Sequence, residues 1–359
     1  MRTIHVGFSL FETEAQRVAA LPLFEAGDVD AIEHTVDVSW ERESPAWFTA
    51  LLDHYGEAGR LYGHGVSYSP TTIGANPAWL ERLARDPFRY RHVTEHWGFS
   101  RAKGLVRGAP MPLVASEAVV QSTIASMRAL AEVARVPVGL EVLALALSPL
   151  NALAQSIMIT RVLDAIDGVL LLDLHNLWCQ ATNFGFDPKE LIARYPLDRV
   201  RQLHVAGGSW SESAFGAPFR RDTHDALAPD EMFELVAWVI PRCPALEVVI
   251  LERLPTALDD AVAWRREWQH LAAVVRDAAR QPLVDAPPAI VTPLPDDHGA
   301  ADVAAFQNAM YATLLAGGDP RDVHAALREI AGPFTEQVER WEPRAIEVAI
   351  ALADKWAER

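Results

Sequence analysis

Short β-prone apolar runs, each ending on a polar residue, alternate with longer stretches in helical apolar spacing over the first 280 residues. The runs predict strands near Ile4–Ser9, Ala31–His34, Arg60–Gly63, His92–Glu95, Val138–Glu141, Val169–Asp173, Val200–Val205 and Val248–Glu252. Between them the spacing predicts helices, among them Glu117–Arg135, Asn151–Asp164, Asp230–Val239 and Leu258–Ala279. Eight strand-then-helix units in this length predict an α/β fold, a TIM (β/α)8 barrel, rather than an open doubly wound sheet. No Gly-x-Gly-x-x-Gly follows the first strand and no Walker-type phosphate loop occurs, which disfavours nucleotide-binding α/β folds.

The pattern changes near residue 280. From Arg280 to Asp297 there are prolines at 282, 287, 288, 293 and 295. Proline fixes φ and lacks a donor, so an extended linker is expected over 280–300, between a barrel over 1–279 and a helical C-terminal extension over 301–359. Asp302 to Ala357 reads as about three helices, divided at Gly317–Pro320 and Gly332-Pro333. The spacing of Phe306, Met310, Leu314, Val323 and Leu327 is that of a packing face, which is favoured over a peptide-binding role.

In such a barrel the chemistry sits where strands end. Those ends carry His64, Glu95-His96, Glu141, Asp173-Leu-His175-Asn176, His204 followed by Asp222-Thr-His224, and Glu252. Singly, a histidine there is more often a hydrogen-bonded structural residue, a carboxylate a helix cap, and Asn176 a turn residue. Together, His64, His96, Glu141, Asp173, His204, Asp222, His224 and Glu252 would converge on one small space. So many acceptors cannot be buried side by side without a neutralising charge, and bound cations supply it. Mixed imidazole and carboxylate disfavours cysteine-rich zinc and iron–sulfur sites, and four histidines are too many for Mg²⁺ or Ca²⁺. Iron, manganese or catalytic zinc remain, as two or three ions bridged by carboxylates.

Composition narrows the partners. With 32 basic and 48 acidic residues the formal charge is −16, which repels phosphate backbones and excludes nucleic acid and anionic membrane as natural partners. Two cysteines, Cys179 and Cys243, cannot form a disulfide framework and suit a reducing, cytoplasmic location. Cys179 reads as a small buried hydrophobe. Trp97, Trp178 and Trp210 follow strand ends and suit a pocket wall or plain packing equally. No basic-then-apolar secretory signal is visible at the N-terminus, and no run of about 18 apolar residues predicts a membrane span.

The segments Asp173-Leu-His-Asn176, Ala181-Thr-Asn-Phe-Gly-Phe-Asp187-Pro, Tyr195 to Gly208 through His204, and Asp222-Thr-His224 form a combination. With Gly63-His64-Gly65, Glu95-His96 and Glu252 in order, it resembles the DUF692 family, the multinuclear non-heme iron-dependent oxidative enzymes (MbnB-like, as in methanobactin biosynthesis). The resemblance spans roughly Val6 to Glu252. It implies a TIM barrel holding two or three irons on His64, His96, Glu141, Asp173, Asn176, His204, Asp222, His224 and Glu252. It further implies O₂-dependent oxidation of a ribosomally made precursor peptide, most often at Cys or else Asp, and such enzymes commonly work with a small leader-peptide-binding partner. Two positions depart from the pattern: Val142 stands where Asn is frequent, and His175 where Asn or another residue is usual. The rival reading is a metal-dependent hydrolase or isomerase on a similar barrel, endonuclease IV-like or xylose isomerase-like. The −16 charge weighs against the first, and the excess of histidine against the second.

Overall fold

The computed structural model describes residues 3–41, 43–103, 109–290, 292–294 and 299–357. In chain order its strands are β1 (His5–Leu10), β2 (Ala31–Thr35), β3 (Leu61–Gly65), β4 (Val93–His96), β5 (Val138–Glu141), β6 (Val169–Asp173), β7 (Val200–Val205), the short β8 (Trp210–Ser211) and β9 (Phe219–Arg220), and β10 (Val248–Leu251). All but β8 and β9 join in one closed ring, β1-β10-β7-β6-β5-β4-β3-β2, with every neighbouring pair parallel. This is the eight-stranded α/β barrel that the alternation predicts. β8 and β9 form a separate antiparallel pair in the connection after β7.

The helices around the ring are α1 (Glu14–Glu25), α2 (Ala46–Glu57), α3 (Pro77–Leu83), α4 (Glu117–Ala134), α5 (Pro149–Ile166), α6 (Leu174–Phe184), α7 (Pro188–Ile192), α8 (Asp230–Val239) and α9 (Ala261–Ala278). Their starts are written locally. Thr13, Ser116, Ser148, Asp173, Asp187 and Asp260 each accept a backbone N–H from the first turn of the helix they precede. Their apolar faces and the outer faces of the strands make one continuous buried core.

The first four strands end one or two residues later than the sequence predicts, and the last ends one residue earlier. β3 extends through Gly65, so His64 lies within the strand: its carbonyl still accepts Val36 N at 2.9 Å, carrying the ladder past the point where the glycines suggest a turn. β10 ends at Leu251, and Glu252 N still donates to Val205 O at 2.9 Å.

After α9 the described part of the proline-rich stretch contains no helix or strand, and Val284 N donates to Pro241 O at 2.9 Å. Positions 291 and 295–298 of that stretch, like 358–359 of the extension, lie outside the described residues. Beyond it come four helices rather than three: α10 (Ala300–Ala316), α11 (Pro320–Ile330), the single-turn α12 (Thr335–Val338) and α13 (Pro343–Ala357). The extra break falls before Pro343, which cannot accept a continued helix, and Glu342 N turns instead to Leu147 O at 2.7 Å. Phe306, Met310, Leu314, Val323 and Leu327 are all buried, as the packing reading expects.

These helices are tied across the barrel mouth by paired polar contacts. Gln307 bridges Thr71 O and Ile73 N in the connection after β3 (2.9 and 3.0 Å). Gln337 bridges the N and O of Ala115 (2.7 and 2.9 Å), and the Arg344 guanidinium donates to Asn183 O at 2.5 Å. Each contact satisfies backbone groups that a loop would otherwise leave to water. Among the described residues no helix is long and apolar enough to cross a membrane.

Candidate metal centre

Strand register brings the ligand-type side chains together. His96 is paired with Glu141 between β4 and β5, and Asp173 with His204 between β6 and β7. Two groups result in which one ligand atom per residue lies within 4.8 Å of every other: His64, His96 and Glu141; and Glu141, Asp173, His204 and Glu252. Glu141 belongs to both.

The hydrogen bonds behind the histidines fix which ring nitrogen carries a proton. His96 Nδ1 lies 3.1 Å from Gly65 O, which can only accept, so Nδ1 donates and Nε2 carries the lone pair. His64 Nδ1 faces Thr94 Oγ1 at 2.9 Å, and that hydroxyl donates onward to Gly63 O, so the same tautomer follows. Both Nε2 atoms then point at Glu141 Oε2, at 3.0 and 3.2 Å, yet that oxygen has no hydrogen-bond partner. Lone pairs facing lone pairs at this distance, with His64 and Glu141 buried and His96 facing the cavity, require a cation or an added proton between them. Gly65 makes room for this corner: a Cβ there would overlap Glu95 Oε1. Glu95 itself turns away from the centre, accepting from Tyr68 N at 3.2 Å, and burial, reinforced by Asp37, pushes its carboxyl well above the usual range.

His204 repeats the pattern from the other side. Its Nε2 donates to Glu33 Oε2 at 2.8 Å, leaving Nδ1 without a hydrogen-bond partner among Glu252 Oε2 at 3.0 Å, Glu141 Oε1 at 3.4 Å and Asp173 Oδ2 at 3.8 Å. Asp173 divides its oxygens: Oδ1 caps α6 through Asn176 N at 2.7 Å, and Oδ2 is buried without a partner. Asn176 is held by its Nδ2 on Val142 O at 2.9 Å, and its Oδ1 is likewise unpartnered. Position 142 thus serves through its backbone, whatever its side chain.

Asp222 and His224 lie at the outer edge of the cluster. His224 Nε2 is 2.7 Å from the Asp222 carboxylate and 3.7 Å from Glu252 Oε2, and it is presented from a left-handed backbone (φ 53°) pinned by Leu254 N on its carbonyl. His175 is fully buried behind them, its Nδ1 2.8 Å from Asp222 Oδ1, so it orients that carboxylate and points at no open ligand position. Cys179 Sγ lies 3.8 Å from His175 Nε2, and burial holds its thiol protonated. All nine expected positions are therefore close neighbours around one mouth.

Glu33 was not anticipated. It is 1% exposed inside the barrel and accepts from His204 Nε2, Gln202 Nε2 and Ser9 Oγ, the last at 2.8 Å. Burial would raise its carboxyl, but His204 outweighs this and holds it at about 2. Its only signal in the sequence is its place near the end of the second strand, on the inward alternation. A carboxylate behind a ligand histidine typically tunes metal affinity by about 10–100-fold. Glu33→Gln should therefore weaken loading by that factor in the group containing His204 and spare the His64/His96 group, as metal titration of the purified variant would show.

Without a cation, protons take its place. Burial opposes charge on His64, but Glu141, with Glu33 behind it, lifts the group to about 9. On His224 burial is outweighed by Asp222 and Glu252, which lift it to about 10. Burial, then the charges of Asp222 and Glu141, pushes the Asp173 carboxyl well above its usual range. Metal must displace these protons, so loading should release protons and apparent affinity should rise as pH rises toward 9–10. Calorimetric titration with Mn²⁺ in buffers of different ionisation enthalpy measures the release directly; a heat independent of buffer would contradict it.

Above the cluster is a cavity of about 230 Å³. Its floor includes His96, Glu141, Asn176, Asp222, His224 and Glu252, and its apolar walls include Leu143, Leu145 and Leu254. One side is formed by Val348, Leu352, Lys355 and Trp356 of α13. Of the three tryptophans that follow strand ends, none lines it: Trp97 is buried, Trp178 stacks on His175, and Trp210 is half exposed.

The chain is similar in sequence to bacterial proteins. A UPF0276 protein of Caulobacter vibrioides is 30% identical over 176 residues, covering 48% of this chain and 61% of that protein. A UPF0276 protein of Pseudomonas aeruginosa is 35% identical over 144 residues, covering 40% and 49%. The matched stretches thus span less than two thirds of these curated relatives. Among solved structures, a xylose isomerase domain containing protein from Salmonella typhimurium superposes with a TM-score of 0.48 at 11% identity, over 78% of this chain and 100% of that one. The model of the family described as RiPP precursor modification enzyme MbnB/TglH/ChrH matches residues 34–279, well over half of the chain and all nine rim positions. On that match the chain belongs to the MbnB/TglH/ChrH family of RiPP precursor modification enzymes, the DUF692 or UPF0276 family.

Proposed function

We propose that this protein is a multinuclear iron enzyme that uses O₂ to oxidise a residue, Cys or else Asp, of a ribosomally synthesised precursor peptide. The observation that carries the reading is the pair of lone-pair-to-lone-pair convergences sharing Glu141, which two ions bridged by that carboxylate would satisfy together. His64, His96 and Glu141 would hold one ion, and Glu141, Asp173, His204 and Glu252 a second. Asp222, His224 and Asn176, beside Glu252, would serve a third. Imidazole and carboxylate donors in this proportion suit iron, which when bound supplies the O₂-binding and electron-transfer chemistry that no side chain here offers.

The chain's own part is positional. Glu33, Thr94 and the Gly65 carbonyl hold the histidines in the tautomer that offers a lone pair inward. His175 fixes Asp222, and Val142 O fixes Asn176. The apolar walls and α13 narrow the approach, so a peptide side chain reaching the floor would shed water before it reacts. A small leader-binding partner that delivers the precursor belongs to this reading.

The test is metal analysis of anaerobically purified protein together with O₂ uptake on adding a short Cys- or Asp-containing peptide encoded beside this gene. Two or three irons per chain and peptide-dependent uptake are expected. Full activity in iron-free protein would overturn the proposal, and Zn²⁺ or Mg²⁺ without O₂ uptake would turn it toward a hydrolase or isomerase.

A further inference from the structure

The cavity has a cationic side as well as an acidic floor. Arg220, at the end of β9, is 8% exposed, and its backbone N and O are both bonded to the Asn183 side-chain amide (2.7 and 2.9 Å). Its guanidinium lies between two indoles, 4.9 Å from the Trp178 ring centre and 5.5 Å from that of Trp210. Its Nε is buried with no hydrogen-bond partner, and among the described residues no carboxylate oxygen comes within 4.0 Å of its nitrogens. The Cys179 thiol lies against the guanidinium as a weak acceptor, but burial keeps it protonated, so it offers no countercharge. Arg221 and Lys355 line the same cavity.

A guanidinium held this rigidly and removed from water is costly unless an anion completes it. Contact with two rings restrains the guanidinium and leaves its N–H groups as the place for a bidentate acceptor. Trp178 also stacks on His175, 5.9 Å between ring centres, and His175 holds Asp222, so this arginine is mechanically coupled to the candidate metal centre. We infer that Arg220, with Arg221 and Lys355 beside it, is a carboxylate-recognition subsite that seats the peptide substrate with its reacting residue over the cluster. The inference deepens the peptide-oxidation reading and rests on it for the identity of the anion. Either the chain-terminal carboxylate or an acidic side chain next to the reacting residue supplies that chemistry.

Three probes separate the outcomes in anaerobic calorimetry on the iron-loaded protein: acetyl-Gly-Ala-Cys with a free carboxylate, the same peptide as its C-terminal amide, and acetyl-Asp-Ala-Cys amide. The free acid should bind about tenfold or more tighter than the amide, the scale of a charge-assisted hydrogen bond. Tight binding of the Asp-bearing amide as well would assign the side chain as a competent source. Arg220→Gln should erase the acid-over-amide preference at unchanged iron content, and Arg220→Lys, charged but without the planar fork, should keep part of it. Equal binding of all three probes by the native protein, a carboxylate preference that survives Arg220→Gln, or no binding of any probe would overturn the subsite. O₂ uptake with the full precursor peptide is scored separately, so loss of the subsite and loss of the oxidation reading are distinguishable.

Discussion

Replacing Glu141 with glutamine should empty both metal-holding groups at once. Its Oε2 faces His64 and His96 at 3.0 and 3.2 Å, and its Oε1 lies 3.4 Å from His204 Nδ1, so one carboxylate is common to both. An amide keeps the volume but brings one donor and no charge, and two inward lone pairs of imidazole would then meet an N–H or a neutral oxygen in place of a bridging anion. The loss of iron and of peptide-dependent O₂ uptake should exceed the ~10–100-fold that removal of an orienting partner costs. Glu252→Gln makes the control: besides a Ser9 hydroxyl it meets the His204 group and the His224 edge and is not in the His64/His96 group, so iron should fall in part, with that group still loaded. Iron content per chain for the two variants decides the matter. A Glu141→Gln protein that keeps its full complement would show that the carboxylate does not bridge.

Stripping metal should soften the whole barrel. Glu141, Asp173, Asp222 and Glu252 crowd one end of the molecule, and their mutual repulsion is relieved only by protons or cations. An ion that binds the folded state alone, present at 1,000 times its Kd, stabilises by ~4.1 kcal/mol. Two such ions correspond to a fall in thermal midpoint on the order of 10 °C on chelation, given how midpoints scale with chain size. Scanning calorimetry of loaded protein, with and without chelator, should show this drop at neutral pH. The Glu141→Gln variant should already melt at the lower temperature and respond little to chelator. Equal midpoints for the loaded and stripped native protein would contradict the stabilising role.

The barrel and its ligand-type rim were legible because both arise from local signals. A parallel strand buried on both faces shows as an apolar run, and a polar residue closing that run marks the mouth; His96, Glu141 and Asp173 close their strands, and His204 stands one residue before the end of its own. Glu33 escaped because its partner, His204, is 171 positions away, and the residue beside it, His34, is buried in a contact of its own with Tyr90 and Ser39. His175 could be placed at the site from sequence, but its part as a support for Asp222 follows only from the hairpin of β8 and β9 folding back over α6. The extension is the other case. The spacing of Phe306, Met310 and Leu314 announces a packed helix, yet it is Gln307, Gln337 and Arg344, bonded to backbone up to 236 positions away, that decide where the helices come to rest. No local pattern distinguishes such residues from solvated surface.

The position of α13 has a consequence for how this chain can change. Every candidate ligand lies between His64 and Glu252, on the barrel strands or their immediate ends, in the first turn of α6 or in the connection after β9, whereas one flank of the cavity is formed by α13, at Val348, Leu352, Lys355 and Trp356. Part of the cavity lining is thus encoded apart from the candidate ligands, while Arg220 and Arg221 stand beside them. On the proposed reading, mutations in α13 would reshape what the cavity admits without touching its floor, because that helix holds no candidate ligand.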